Sequence, residues 1–188
     1  MLASRMADAA NQLMPRLADM FSEVTYNMMT PTQAFNSVFG GPITINKTDQ
    51  GCTIAQDCLA WVNIGVNTVN TTIQLNPHLL IHEVFHIFDL NILGGSPNTA
   101  VSRAQSNDNL PDRPNLAGPS RETWGLGGPN FSDWQKSRSG LASEELADMG
   151  IGWFYQFWGG GVAGSQRDSF MNSYMPLWVS AATINNEN

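Results

Sequence analysis

Apolar side chains recur at helical spacing through the first part of the chain, at Leu2, Met6, Ala10, Leu13, Leu17, Met20 and Val24. This period predicts a helix over 2–24 with one buried face. Pro15 lies inside it, so we expect a kink or a break there. A second, short helix is expected from Thr30-Pro31, a pair typical of helix starts, to Gly40, which is typical of helix ends.

The next stretch changes from helical spacing to an alternation of apolar and polar residues. The segments "PITINKT", "CLAWVNIGV" and "NTTIQLN" are rich in β-branched and aromatic residues, with asparagines between them. This pattern predicts three strands, around 43–47, 59–66 and 71–75. We expect them to form a small, largely antiparallel sheet. The apolar run "LLIHEVFHIFD" then predicts a helix to about Leu90, ended by Gly94-Gly95.

The stretch 93–142 is dense in Gly, Pro, Asn and Ser and has no clear period. It predicts a long irregular loop of the kind that forms lids, substrate walls or disordered segments. Trp124 and Trp134 favour partial order, because aromatic side chains pack on other groups. Asp108 and Asp112 are poor candidates for calcium ligands, since their spacing fits no calcium loop.

Two further helices are expected towards the C-terminus. Ser143 is typical of an N-cap, and the helix it begins should run to the glycines at Gly159–Gly161. A last helix is expected from about Ser165, bent or ended at Pro176. The 188 residues are therefore predicted to form a single α+β domain over 1–188.

Composition excludes several classes of function. The net charge is −7 and the only lysines are Lys47 and Lys136, so no basic stripe is present to bind nucleic acid. No apolar run approaches the roughly 20 residues of a membrane span. Cys52 and Cys58 can close a short loop as a disulfide, or they are reduced thiols or a weak metal pair. A disulfide favours an extracellular or cell-envelope location and leaves the cytoplasm open.

The polar residues inside the apolar run spell H-E-x-x-H, with His82, Glu83 and His86. Residues four apart project from the same helix face, so both imidazoles can bind one ion at roughly 2.0–2.1 Å. Glu83 is rotated by about 100° around the axis and can reach a water at the ion, which suits a general base. The alternative is two core histidines bonded to backbone carbonyls. The triplet on one predicted helix favours the metal.

A tetrahedral catalytic zinc needs a third protein ligand. His78 is the remaining histidine, but it lies about 12 Å from His86 along the axis, so three imidazoles cannot converge on one ion. Asp89 stands where an H-E-x-x-H-x-x-G-x-x-H pattern needs glycine, and Ile92 where it needs histidine. The third ligand is therefore expected from a second helix.

The segment "SEELAD" offers that ligand. Glu144 and Asp148 are four residues apart and share a helix face. Glu144 can bind the metal, and Asp148 can accept the outer N–H of a ligand histidine and so fix its orientation. Glu145 stays open as an alternative ligand. Taken alone, the acidic residues would be read as a helix first turn that favours the dipole.

The two motifs together resemble the gluzincin branch of zinc metallopeptidases, which includes the thermolysin-like enzymes. That family pairs the H-E-x-x-H helix with a later helix carrying E-x-x-x-D or E-x-x-A-D, matched here by Glu144, Ala147 and Asp148. The resemblance covers these two helices and the sheet-then-helix order before them. It implies a zincin-like α+β fold with a small, mostly antiparallel sheet packed on the active-site helix. The edge strand, near Asn70–Leu75, would run along the cleft.

The resemblance also implies an activity and its cofactor. The chain would be a zinc-dependent endopeptidase with one zinc ion held by His82, His86 and Glu144. A peptide or protein would be the substrate. Glu83 would take a proton from the zinc-activated water and pass it to the leaving amine.

The family stabilises the oxyanion with a further Tyr or His. Here Tyr174 is the candidate, with Arg167 and Arg138 as alternatives. Two other functions stay open: an inactive zincin-like binding module that keeps the metal without turnover, and a toxin or effector protease domain with one narrow target. The sequence gives neither the cleavage preference nor the oligomeric state.

Overall fold

The computed structural model describes residues 2–26, 28–49, 60–72, 77–92, 94–107, 110, 138–158 and 162–186. Within these ranges the protein is a mostly helical α/β structure with six α-helices and one three-stranded sheet. In chain order the elements are α1 (Leu2–Val24), α2 (Pro31–Phe39), β1 (Thr44–Lys47), β2 (Ala60–Val62), β3 (Thr68–Thr71), α3 (Pro77–Ile87), a π-helical turn (Phe88–Ile92), α4 (Ser96–Ser106), α5 (Arg138–Tyr155) and α6 (Val162–Asn186).

Both long terminal helices contain a proline and neither ends at it. α1 runs through Pro15 and α6 through Pro176, so neither helix breaks or ends at its proline; the other expected outcome, a kink at Pro15 and a bend at Pro176, stays a prediction. A proline inside a helix costs roughly 3 kcal/mol. A residue near each proline is anchored in the core: Leu17 follows Pro15 in α1, and Met175 precedes Pro176 in α6, both fully buried. This packing outweighs the local preference of proline.

The ends of α2 were predicted correctly. The side chain of Thr30 accepts a hydrogen bond from the backbone N–H of Gln33, and the side chain of Gln33 accepts one from the backbone N–H of Thr30. This reciprocal capping box satisfies two N–H groups that the helix itself cannot pair. Gly40 ends the helix in the left-handed conformation, with φ 67°, which glycine adopts without strain.

The sheet differs from the expected one in its pairing and in the position of the third strand, which was expected around 71–75 and lies at Thr68–Thr71. Its strand order is β1-β3-β2, with β3 parallel to β1 and antiparallel to β2. The sheet is therefore mixed and not mostly antiparallel. Asn70, expected on an edge strand, lies on the central strand β3 and is paired with Asn46 and Trp61. Alternation in short strands predicts their presence, but it does not determine which strands become neighbours.

α3 lies at the centre of the described structure. Its residues from Leu79 to Ile87 are all buried, the polar His82, Glu83 and His86 among them. It contacts β2, β3, α1 and α5, so the sheet does pack on the H-E-x-x-H helix. The helix continues into the π-helical turn, and the chain then reverses at Gly94 and Gly95, which both have positive φ.

Part of the stretch predicted as an irregular loop is helical. α4 occupies Ser96–Ser106, and α5 begins at Arg138, so Ser143 lies inside α5 and does not cap it. Gly, Ser and Pro at the start of α4 are typical of loops, but proline is also favourable in the first turn of a helix. The loop prediction for 111–137, with both tryptophans and Asp112, lies outside the described residues. Asp108 and the Cys52–Cys58 pair do so as well.

The core is rich in aromatic rings from several elements. Phe21 of α1 lies 5.8 Å from Phe39 of α2, 6.2 Å from Phe88 and 6.1 Å from Trp153 of α5, between ring centroids. These contacts join the N-terminal helices to the segment that follows the H-E-x-x-H motif. Among the described residues, no helix is both long enough and apolar enough to cross a membrane.

The most extensive helix pairing among the described residues is that of α5 with α3. Gly150 of α5 faces Phe85 of α3, and a Cβ atom built at position 150 would lie 2.2 Å from a carbon of that ring. The absence of a side chain therefore lets the two helices approach. This approach brings the "SEELAD" segment to the H-E-x-x-H motif.

Gly150→Ala is expected to destabilise the protein, because the new methyl group overlaps the buried Phe85 ring. The expected loss of unfolding free energy is roughly 1–3 kcal/mol, typical of overpacking. Chemical denaturation measures it. Helix propensity alone would have the opposite effect and stabilise the variant by up to about 1 kcal/mol, so a stabilised variant would contradict the close approach.

Candidate metal centre

Two histidines of α3 and one glutamate of α5 form a buried group that can hold a metal ion. Ligand atoms of His82, His86 and Glu144 all lie within 4.8 Å of one another. Nε2 of His82 is 3.0 Å from Nε2 of His86. Each of these nitrogens is 3.4 Å from a different carboxylate oxygen of Glu144. The structure therefore brings together the three residues that the sequence indicated.

The outer nitrogen of His82 contacts Asp148, as the sequence predicted. Nδ1 of His82 lies 2.8 Å from Oδ1 of Asp148. A carboxylate only accepts, so the Nδ1–H of His82 donates. The neutral imidazole then carries its lone pair on Nε2, which points at His86 and Glu144. Such an outer-shell carboxylate fixes the tautomer and orientation of a metal-binding histidine.

The outer nitrogen of His86 contacts Ser143, which sequence reasoning had assigned to a helix cap. Nδ1 of His86 lies 3.2 Å from Oγ of Ser143, and this hydroxyl donates to Oδ2 of Asp89 at 3.1 Å. Since its hydrogen is given to Asp89, the hydroxyl oxygen accepts from His86 Nδ1–H. The lone pair of a neutral His86 is therefore also on Nε2.

Two imidazole lone pairs and a carboxylate thus converge on one point, an arrangement that requires a positive charge. Zinc ligands at 2.0–2.2 Å in tetrahedral geometry are about 3.3–3.5 Å apart. The two nitrogen–oxygen distances of 3.4 Å match this spacing. The nitrogen–nitrogen distance of 3.0 Å is slightly shorter, and without a metal a proton between His82 and His86 satisfies the same need. The donor set of two imidazoles and one carboxylate suits zinc.

The electrostatics of the metal-free protein also favour a cation here. Burial lowers the pKa of His82, but hydrogen bonds with Asp148 and then Glu144 outweigh burial and raise the pKa to about 10. Burial raises the pKa of Glu144, yet its contacts with His82 and His86 hold that pKa well below the usual value. The site therefore keeps a carboxylate ionised and attracts positive charge.

Glu83 lies beside the group without belonging to it. Its side chain is buried, and its Oε2 atom has no hydrogen-bonding partner among the described residues. Burial raises the pKa of Glu83, the two histidines oppose the rise, and Glu144 adds to it. A buried carboxyl oxygen without a protein partner is costly unless water or a ligand contacts it.

Glu145 points elsewhere, which separates it from Glu144. Nε of Arg167 on α6 donates to Oε1 of Glu145, and both side chains are about 1% exposed. The two adjacent glutamates therefore differ in partner, Glu144 facing the histidines and Glu145 the arginine. Arg167, an alternative for the oxyanion role, is committed to this ion pair. The Arg138 side chain lies outside the described residues.

Tyr174 and His78 lie in other contacts. The ring of Tyr174 stacks on Phe170 at 4.5 Å and lies 5.2 Å from Trp178, and its catalytic role stays a prediction. His78 packs its ring 4.8 Å from that of Tyr155 and is not part of the metal-binding group. Its exclusion on distance along the helix agrees with the structure.

Sequence reasoning missed Ser143 and Asp89 as partners of His86. The signals were present, because Ser143 directly precedes Glu144 and Asp89 follows His86 by three residues. In the sequence, Asp89 stands out only as a mismatch to the H-E-x-x-H-x-x-G-x-x-H pattern. Its burial (0% exposed) could not be read from a position at the end of an apolar run.

Comparison with protein-family models, with curated proteins and with solved structures finds no match to this chain. The described residues thus form a mixed, mostly helical α/β structure with a buried His-His-Glu group able to hold a metal ion. The gluzincin resemblance continues to rest on the two motifs alone.

Paired variants test which glutamate binds the metal. The purified protein is expected to contain about one zinc per chain, and Glu144→Gln to lose it on dialysis, because an amide oxygen is a weaker ligand. Glu145→Gln should keep zinc but lose about 3 kcal/mol of unfolding free energy, since Arg167 would stay buried without its counter-charge. Elemental analysis and denaturation measure the two effects. Zinc retained in Glu144→Gln and lost in Glu145→Gln would reverse the assignment.

Zinc binding is expected to release protons at pH 7. Because the pKa of His82 is about 10, the metal-free imidazole stays doubly protonated up to about pH 10, whereas an ordinary histidine loses this proton near pH 6.5. A histidine that binds a metal must be neutral. About one proton per chain should leave His82, and zinc affinity should fall as the pH falls. Titration calorimetry in buffers of different ionisation enthalpy counts the protons. Binding heats that are equal in all buffers would show that no proton leaves.

Proposed function

We propose that the protein is a zinc-dependent endopeptidase of gluzincin type. The observation that carries the proposal is Glu83, a buried carboxyl group with a raised pKa and one oxygen that has no partner among the described residues, next to a group that can hold a metal. A raised pKa brings a carboxylate nearer the working pH of a general base. His82, His86 and Glu144 would hold the ion.

A bound zinc ion supplies a Lewis acid and lowers the pKa of water. The protein supplies the proton transfers. Glu83 accepts a proton from the attacking water and donates it to the leaving amine, and its burial keeps bulk water from competing for that proton. Asp148 and Ser143 hold the two imidazoles in orientation through their Nδ1–H groups.

The substrate-binding strand proposed from the sequence needs revision. Because β3 is the central strand, an extended peptide cannot pair with the Asn70 region. β2 is an outer strand and contacts α3, so we place the substrate along β2. Pairing with the edge of a sheet is a general way to hold an extended peptide.

A binding module that is stabilised by its metal ion and has no turnover is the second candidate. The burial of the site residues favours it. His82 is 3%, Glu83 4%, Glu144 6% and His86 8% exposed. A structural metal site is closed, whereas a catalytic one keeps an open position for water or substrate. The two functions share the metal and differ in turnover.

Glu83→Gln is expected to keep its zinc and to lose hydrolysis of an unfolded, fluorophore-labelled protein by about 10²–10⁴-fold, the usual contribution of a general base. The amide side chain of glutamine has nearly the same shape as the carboxylate side chain of glutamate, so zinc content and thermal stability should be unchanged in this variant and serve as internal controls. Turnover by Glu83→Gln at the wild-type rate would remove Glu83 as the base. Zinc-loaded wild-type protein that cleaves no member of a broad peptide library would favour the binding module, or an effector with one target.

A further inference from the structure

Asp89 is a further buried carboxylate that is linked to the candidate metal centre. It lies in the π-helical turn after α3 and is 0% exposed. Its Oδ2 atom accepts the hydroxyl hydrogen of Ser143 at 3.1 Å, and Ser143 Oγ lies 3.2 Å from Nδ1 of His86. Asp89 therefore reaches a metal-binding histidine through one hydroxyl group.

The other oxygen of Asp89 is held by the start of α4. Oδ1 accepts from the backbone N–H of Asn98 at 3.0 Å, and the main-chain oxygen of Asp89 accepts from the N–H of Gly95 at 2.7 Å. Gly95 is the N-cap of α4 and provides no side-chain cap. The Asp89 carboxylate takes that part, satisfying an N–H group that the first turn cannot pair. Both of its oxygens thus accept.

The direction of these hydrogen bonds determines the tautomer of His86. Burial raises the pKa of Asp89, but the backbone N–H of Asn98, His86 and the Ser143 hydroxyl oppose the rise. Ser143 Oγ donates its single hydrogen to Oδ2 of Asp89, and an ionised carboxylate there only accepts. Ser143 Oγ then accepts from His86 Nδ1–H. A neutral His86 is left with its lone pair on Nε2, 3.0 Å from Nε2 of His82. Metal binding by His86 requires this tautomer.

We propose that Asp89 is a positioning residue for His86: acting through Ser143, it holds the imidazole in the metal-binding tautomer and ties the site to the first turn of α4. The inference rests on the metal site of the proposed function and does not depend on peptide hydrolysis. The simpler alternative is that Asp89 only caps α4.

Asp89→Asn separates the two roles. The amide oxygen can still accept from the N–H of Asn98, so the cap of α4 is preserved. The amide NH₂ group, however, faces Ser143 as a donor. Ser143 must then accept from the amide and donate to Nδ1 of His86, which moves the imidazole proton to Nε2, the metal-facing atom. An Asp-to-Asn change behind a functional histidine can enforce the wrong tautomer in this way.

The experiment measures zinc Kd against a competing chelator in the full chain. Asp89→Asn is expected to raise the Kd about 10–100-fold, the usual effect of losing an outer-shell partner. Asp168→Asn is the matched control: Asp168 lies on α6 and accepts from Asn172 at 2.8 Å, so its zinc Kd should stay at the wild-type value. Ser143→Ala, which leaves the cap of α4 intact, should also raise the Kd.

A spectroscopic readout separates positioning from a structural role. Long-range ¹H–¹⁵N spectra of metal-free protein should show the His86 proton on Nδ1 in the wild type and on Nε2 in Asp89→Asn. A wild-type Kd in both Asp89→Asn and Ser143→Ala, with the proton still on Nδ1, would overturn the proposal. If Asp89→Asn does not fold, an unchanged Kd in Ser143→Ala alone overturns it. Wild-type protein that binds no zinc would contradict the proposed function, while the tautomer shift would still decide the role of Asp89.

Discussion

Two imidazole nitrogens and a carboxylate face one another inside the protein, and a cation is what makes that arrangement favourable. The nitrogens of His82 and His86 are 3.0 Å apart, with Glu144 oxygens 3.4 Å from each. Outer partners hold both rings so that their lone pairs point inward. Without positive charge at the centre, the buried lone pairs and carboxylate would repel and lack solvation. The pairing of α3 with α5 brings these groups together, and it therefore depends on a positive charge between them.

The pairing of α3 with α5 also explains why the contacts are so regular. As residue number rises along α3 from His78 to His86, the partners on α5 fall from Tyr155 through Asp148 to Ser143. The helices are therefore antiparallel in this region. Histidines at every fourth position lie on one face of α3, and each meets a polar or aromatic side chain of α5. Gly150 keeps the helices near enough for these contacts.

The sequence predicted the parts of the site that depend on local spacing. Four-residue spacing places His82 and His86 on one face, and the same spacing places Glu144 and Asp148 on another helix. It predicted neither the order of the strands nor α4, because those depend on contacts between distant segments. Ser143 shows the limit clearly. A serine at this position predicts a helix cap. The helix instead begins at Arg138, and the Ser143 hydroxyl contacts Nδ1 of His86.

Zinc K-edge X-ray absorption of the purified protein measures whether His82, His86 and Glu144 share one ion, as proposed. The expected spectrum has a first shell of nitrogen and oxygen atoms only, at about 2.0–2.2 Å, with the outer scattering of two imidazoles. Loss of Glu144 should change that shell. A sulfur neighbour near 2.3 Å would place the zinc on cysteine, and an absence of zinc from protein purified under zinc-replete conditions would rule out a zinc ion shared by these three residues.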